Sequence, residues 1–180
     1  MVSNQIKMGC KTLHLFFFSL LILCSKTNGQ NISKHYASLY QENRILYYIF
    51  PTKGFKNKSG NHLVYDITYL TTTDTAIIKF SYFDKNKKDI KELNVLSDKL
   101  TILTTNKIFV ETKKRKWHYR YSAKIALNDL IHLFAQKVPP TIKIISQPET
   151  TELRMRKSRW KKLAKRTTKI LEMVIFNKKN

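Results

Sequence analysis

Beyond residue 29 the sequence has no cysteine; Cys10 and Cys24 are the only two in 180 residues. Residues 30–180 therefore hold no disulfide, thiol nucleophile or cysteine-ligated zinc or iron–sulfur centre. Glycine is almost as scarce. Only Gly54 and Gly60 follow residue 29, and their spacing against neighbouring lysines fits no phosphate loop. Acidic residues are few, 12 Asp and Glu against 34 Lys and Arg, and none precedes Glu42. No His-x-x-x-His, Glu-x-x-His or Gly-x-Ser-x-Gly occurs, so these forms of metal ligation and a nucleophile elbow lack their signatures. The sequence assigns no catalytic residue, cofactor or metal site, and the chain reads as non-enzymatic.

Long apolar runs are missing too. Leu13 to Cys24 is a largely apolar stretch of 12 residues, short of the roughly 20 that span a bilayer. Lys7 and Lys11 precede it and small polar residues follow, which is the pattern of a secretory signal peptide. The expected signal covers 1–29, with Thr27 at −3 and Gly29 at −1; Met8 is an alternative start. Leu21-Ile22-Leu23-Cys24 resembles a lipoprotein cleavage box, although Leu23 is not small. Loss of Lys7, Lys11 and Lys26 takes the formal charge from +22 to +19. The expectation is an exported chain, periplasmic or secreted, with 30–180 forming a single domain and no transmembrane span in the mature chain. A cysteine-free exported protein suits a bacterial envelope.

What is present is alternation. Trp117, Tyr119, Tyr121, Ala123 and Ile125 alternate with His118, Arg120, Ser122 and Lys124, so this strand should bury one face and wet the other. Those aromatics are expected in the core, not on a base-stacking platform. Lys107–Thr112 should pair with that strand across the turn Lys113-Lys114-Arg115-Lys116. Leu63–Leu70 and Ala76–Phe83 read as a hairpin around Thr71–Asp74, and one or two short strands fall within Ile90–Leu103. Ile45–Phe50 reads as a strand stopped by Pro51, followed by a mobile loop over 51–61. Ile32–Gln41 reads as a short helix or arm, and Thr141–Ile145 as a strand. A helix near 128–137 has Asn128 as its N-cap, and a basic amphipathic helix near 151–176 closes the chain. The fold class is α+β, an antiparallel sheet of about six to eight strands, sandwich-like or curved.

The charge is clustered as well as large. Between Arg154 and Lys169, nine of sixteen residues are Lys or Arg and none is acidic. Arg154, Arg156, Arg159, Lys161, Lys162, Lys165, Arg166 and Lys169 form the candidate anion- or partner-binding set, with Lys113, Lys114, Arg115 and Lys116 as a second basic turn. Clustered guanidinium groups suit phosphates and carboxylates. The expected partner is an anionic surface or an acidic protein; nucleic acid is an alternative that export disfavours. A hydrolase is a further alternative, marked by a pocket that brings His118 or His132 within reach of a carboxylate. Asp66, close to His62, reads as surface polarity.

Overall fold

The computed structural model describes residues 32–98 and 100–179. The signal peptide expected at 1–29 and the lipid site at Cys24 lie outside the described residues. A 3₁₀ turn, Ser33–His35, leads into β1 (Tyr36–Gln41), where the sequence predicts a helix or arm. Next come β2 (Arg44–Lys56), β3 (His62–Leu70), β4 (Thr75–Asp84), β5 (Asp89–Leu96), β6 (Thr101–Thr104), β7 (Lys107–Lys113) and β8 (Lys116–Ala126). The chain ends with α1 (Leu127–Ala135), β9 (Thr141–Gln147), β10 (Thr150–Leu153) and α2 (Lys157–Lys179). All pairing is antiparallel. One sheet has the order β1-β2-β3-β4-β8-β7 and the other β10-β9-β5-β6. The α+β class holds, with ten described strands in two sheets where six to eight were expected.

Three departures from the sequence reading shape the surface. β2 runs on through Pro51, because the register shifts between Ile49 and Thr52 and again between Lys53 and Phe55. A bulge needs no ladder N–H at that position, so proline is tolerated. Residues 51–56 are therefore strand, which fixes Lys53 and Lys56 in place. At the second shift sits Gly54, where a Cβ would stand 2.3 Å from Met155 Cε. Thr150–Leu153 is the second departure: it pairs with β9, Thr150 opposite Ile145 and Leu153 opposite Ile142. Its β-branched threonines suit a strand, and the last helix begins only at Lys157. Arg154 and Arg156 thus precede the helix. The third is α1, which starts at Leu127 after Ala126 and has no side-chain cap; Asp74 O accepts from Leu127 N at 2.8 Å instead, so Asn128 lies inside the helix.

The alternation of β8 holds on its apolar side. Tyr119, Tyr121, Ala123 and Ile125 are buried, Trp117 partly so, in one cluster drawn from both sheets and both helices. Trp160, Leu163, Ala164, Thr167, Ile170, Leu171 and Val174 of α2 are buried at the three- and four-residue spacing of one helix face. Trp160 stacks on Phe134 of α1 at 5.5 Å and donates Nε1–H to Gln136 O at 2.9 Å. Core tyrosines mostly keep partners: Tyr82 donates to Asp84 Oδ2 at 2.5 Å and Tyr121 to Ile90 O at 3.2 Å. Burial pushes the Tyr121 hydroxyl up to about 12. The polar side of the same sheet is not simply wet. Asp66, Ser81 and His118 alternate with the core residues of their strands, yet they are buried.

Candidate functional site

His62, Phe83 and His118 stand directly opposite one another on β3, β4 and β8. The three rings stack in a row, His62 on Phe83 at 4.7 Å and 10°, Phe83 on His118 at 4.4 Å and 8°. These spacings are close to the distance between strands, so the rings stand side by side like plates and turn their edges outward. The two-residue turn at Lys114-Arg115 places Glu111 of β7 opposite His118. Glu111 Oε1 lies 2.9 Å from His118 Nδ1. A carboxylate only accepts, so Nδ1 carries a proton. Phe109 closes the other side edge-on at 5.1 Å. His118 is only 5% exposed, and its Nε2 is buried with no hydrogen-bond partner among the described residues.

One row along, Arg120 of β8 reaches across β4. Its Nη1 donates to Ser81 Oγ at 2.6 Å and its Nη2 to Asp66 Oδ2 at 2.9 Å. Nη2 is also 2.6 Å from Oδ1, but its N–H is directed at Oδ2, which leaves Oδ1 without a hydrogen bond. Asp66 is 1% exposed: it is a buried ion-pair partner and not the surface polar residue the sequence suggests. The pair neutralises Arg120, Glu111 is engaged by His118, and Lys53, Lys113 and Lys114 form no ion pair among the described residues.

These groups line a cavity of about 400 Å³, bounded by Pro51, Lys53, His62, Val64, Ser81, Phe83, Lys113, Lys114, Lys116, His118 and Arg120. Five of its walls are Lys or Arg, and none is acidic. Desolvation lowers the His62 pKa, and the nearby Lys116 and Lys53 push it the same way. Lys116 Nζ donates to Gly60 O at 3.1 Å. The turn above the cavity is strained in its choice of residues: Lys114 and Arg115 both have positive φ, 50° and 59°. That arrangement favours Asn-Gly, not two long side chains with a Cβ.

The eight basic residues predicted between 154 and 169 do not form one patch. Arg159, Lys162 and Arg166 face β2 across a hollow of about 420 Å³ that also contains His35, Phe50, Thr52 and Lys53. Arg166 lies 3.4 Å from both His35 Nε2 and Thr52 Oγ1; desolvation followed by Arg166 and Lys34 lowers the His35 pKa. Arg154, Arg156, Arg159 and Lys162 surround the start of α2 with Lys56, enclosing about 350 Å³. Lys161, Lys165 and Lys169 lie on the other flank with Lys137 and Lys157, around an apolar groove of about 590 Å³ floored by Phe134, Ala135 and Ala164. Lys53 belongs to both the sheet cavity and the first helix hollow, and Arg159 and Lys162 belong to both helix hollows. A band of cations therefore runs from Lys113–Lys116 to Arg156; Arg154 within it is ion-paired with Glu152 at 3.1 Å. Arg115 is exposed at the tip of its turn and is not among the cavity walls.

His132 is exposed on α1, and among the described residues no carboxylate pairs with it. Among the described residues no group of three or more His, Cys, Asp or Glu is placed to hold a metal ion. No described helix is long and apolar enough to cross a membrane. Fold and site define an antiparallel α+β protein with a mainly basic band in which Arg120 is paired with Asp66 and Arg154 with Glu152. No protein-family model, curated protein or solved structure matches the chain.

Proposed function

We propose that this chain is an exported, non-enzymatic interaction module that docks on an anionic surface or acidic partner through the band described above. The observation that carries the reading is continuity: the turn Lys113–Lys116 and the region Arg154–Arg166, distant in sequence, are bridged by Lys53 and Lys56 of β2. A second feature supports it. The first turn of α2 has no acidic residue and is flanked by Arg156, Lys157 and Arg159. Cations at a helix N-terminus oppose the helix dipole at about 0.3–1 kcal/mol each, a cost that a bound anion reverses. Export rests on the pattern of residues 1–29; an intact mass beginning near Gln30 in an exported fraction would support it, and an uncut cytoplasmic chain would remove it.

The docking test replaces Arg154, Arg156, Arg159 and Lys162 with Gln. Each Lys or Arg near an anionic membrane contributes about 1 kcal/mol, so the four together should weaken binding to phosphatidylglycerol vesicles by about a thousandfold at low salt. The salt dependence should flatten with it. Unchanged affinity would end this reading. Nucleic acid is the weaker partner, because export takes the chain away from most of it and both faces of Phe83 are spent on His62 and His118.

A hydrolase is the second reading, and the Glu111–His118 pair beside a cavity is what favours it. Nδ1–H bonded to a carboxylate orients the ring and makes Nε2 the candidate base, which would have to open to solvent to take a proton from water. Turnover of a chromogenic ester that disappears in His118→Phe would favour this reading; a panel of phosphate and carboxyl esters left untouched would dismiss it.

A further inference from the structure

We propose that the outer face of the six-stranded sheet carries an apolar strip, across β1 to β4, that lies against the acyl boundary of an anionic bilayer leaflet. This deepens the docking reading and rests on it: the band supplies attraction, and the strip makes the anionic surface a lipid one. Register fixes the strip. Leu39 stands opposite Leu46, and Leu46 opposite Leu70. One row along, Tyr48 stands opposite Thr68, and Thr68 opposite Ile77. Residues directly opposite share a sheet face, as do residues two apart. These side chains therefore point away from the buried Tyr47, Ile49, Ile67 and Ile78 of the same strands. Phe50 continues the row of β2, edge-on to Tyr48 at 5.7 Å. Leu39 is 61% exposed, Phe50 38% and Ile77 36%, and Leu46, Tyr48 and Leu70 are half-buried. An antiparallel sheet with one wet face alternates apolar inward and polar outward. β2 breaks that rule: from Ile45 to Phe50 it is apolar on both faces.

Charge decides what covers the strip. Lys124 stands opposite Ile77, and Lys79 is two residues further along β4 on the same face; neither forms an ion pair among the described residues. At the other end Phe50 shares its hollow with Arg159, Lys162 and Arg166, so the strip runs into the basic band without a break. The acids nearby are engaged, Asp66 by Arg120, Glu42 by Arg44 and Asp74 by Lys178. Apolar side chains flanked by cations on two sides match a surface that is apolar within and phosphate-bearing at its rim. Lysine stems lie along the apolar part while their heads stay among the headgroups, and anionic lipid attracts each of them. A second copy of the chain brings the same formal charge of +22 and answers none of these lysines. Leu39, Leu46, Leu70 and Ile77 wall none of the cavities described above, so the strip offers no groove to a helix or a small ligand. A bilayer needs none.

The test uses the full chain as the cell yields it, with phosphatidylglycerol vesicles whose acyl chains carry bromine, a quencher of indole fluorescence. Phe50→Trp adds an indole to the strip, and Leu103→Trp adds one at an exposed position of β6 in the other sheet. On binding, bromine should quench the first and spare the second. Leu39→Ser with Ile77→Thr should weaken vesicle binding by about tenfold or more. That pair should keep the parent's salt dependence, because apolar burial is not screened as charge is. Gln at Arg154, Arg156, Arg159 and Lys162 should instead flatten the salt dependence. Binding that this Gln variant weakens, but that leaves Phe50→Trp unquenched or quenches both indoles equally, would overturn the strip and leave the band standing. Undiminished binding by Leu39→Ser with Ile77→Thr would do the same. If that pair does not fold, the Phe50→Trp quench decides alone. A parent chain that binds no anionic vesicle would overturn the strip and leave the band an acidic protein as its partner. A dimer in sedimentation that Leu39→Ser dissociates would give the strip to a second copy and likewise overturn the proposal.

Discussion

Replacing Lys114-Arg115 with Asn-Gly should make the protein more stable and a poorer binder of anions. Both residues sit at positive φ, where a residue with a Cβ loses about 1–2 kcal/mol. Glycine removes that cost at 115 but gives back about 0.5–1 kcal/mol through the freedom of the unfolded chain; asparagine tolerates the conformation at 114. Two of four adjacent positive charges also disappear. The net gain is about 1 kcal/mol, or about 2–4 °C in Tm for a unit of this size. Urea unfolding measures the stability, and phosphate titration together with vesicle binding measures the affinity. A control variant with Gln at both positions keeps the strained backbone and loses the same charge. Its affinity should fall as far as that of the Asn-Gly variant, with little change in stability. If the Asn-Gly variant is less stable than the parent, or binds anions equally well, the strained turn is not there for its charge.

Trp160→Ala removes the side chain that joins α1 to α2, and should cost about 3–5 kcal/mol in urea unfolding. Asp66→Ala strands Arg120 against a buried face and should cost about 3 kcal/mol, whereas Asp66→Leu with Arg120→Met should recover most of it; a double variant no better than the single would contradict the pairing. Desolvation, with lysines or Arg166 nearby, lowers the pKa values of His62 and His35 in the folded state below the ordinary 6.5. As pH falls through 6.5 the unfolded chain takes up these protons first, so stability should be full above 6.5 and decline below it. His62→Asn should shallow that decline between pH 7 and 5, as read from urea midpoints.

Much of the sheet was legible because burial writes a period of two into the sequence. The hairpin of β3 and β4, the pairing of β7 with β8 and the apolar side of β8 follow from alternation and turn residues alone. Bulges leave no such mark. Pro51 and Gly54 read as breakers, and nothing local says that β3 carries β2 past both of them. Thr150–Leu153 was ambiguous in the same way: Thr-Thr-Glu opens a helix as readily as it forms a strand, and only pairing with β9 decides. The Glu111–His118 contact was within reach. A two-residue turn at 114–115 pairs 113 with 116, 112 with 117 and 111 with 118. The burial of His118 and Asp66 was not within reach, since it depends on Phe83, Phe109 and Arg120 arriving from other strands.

Three local preferences are overruled along one strip of surface. The turn at 114–115 holds Lys-Arg where Asn-Gly would relax it; the ring stack holds a histidine with an orphaned nitrogen where phenylalanine would fit; and α2 opens on cations where an acid would suit its dipole. Each is reversible by one or two substitutions, so the fold does not require any of them. Where a chain departs from its own local rules, the compensation is expected in function. Two of the departures add positive charge to the surface that Lys53 and Lys56 connect, and the third leaves a nitrogen buried without a hydrogen-bond partner among the described residues. An oxygen anion bound there would offset the charge repulsion at the turn and the adverse helix end. A neutral or cationic partner would relieve none of the charge costs.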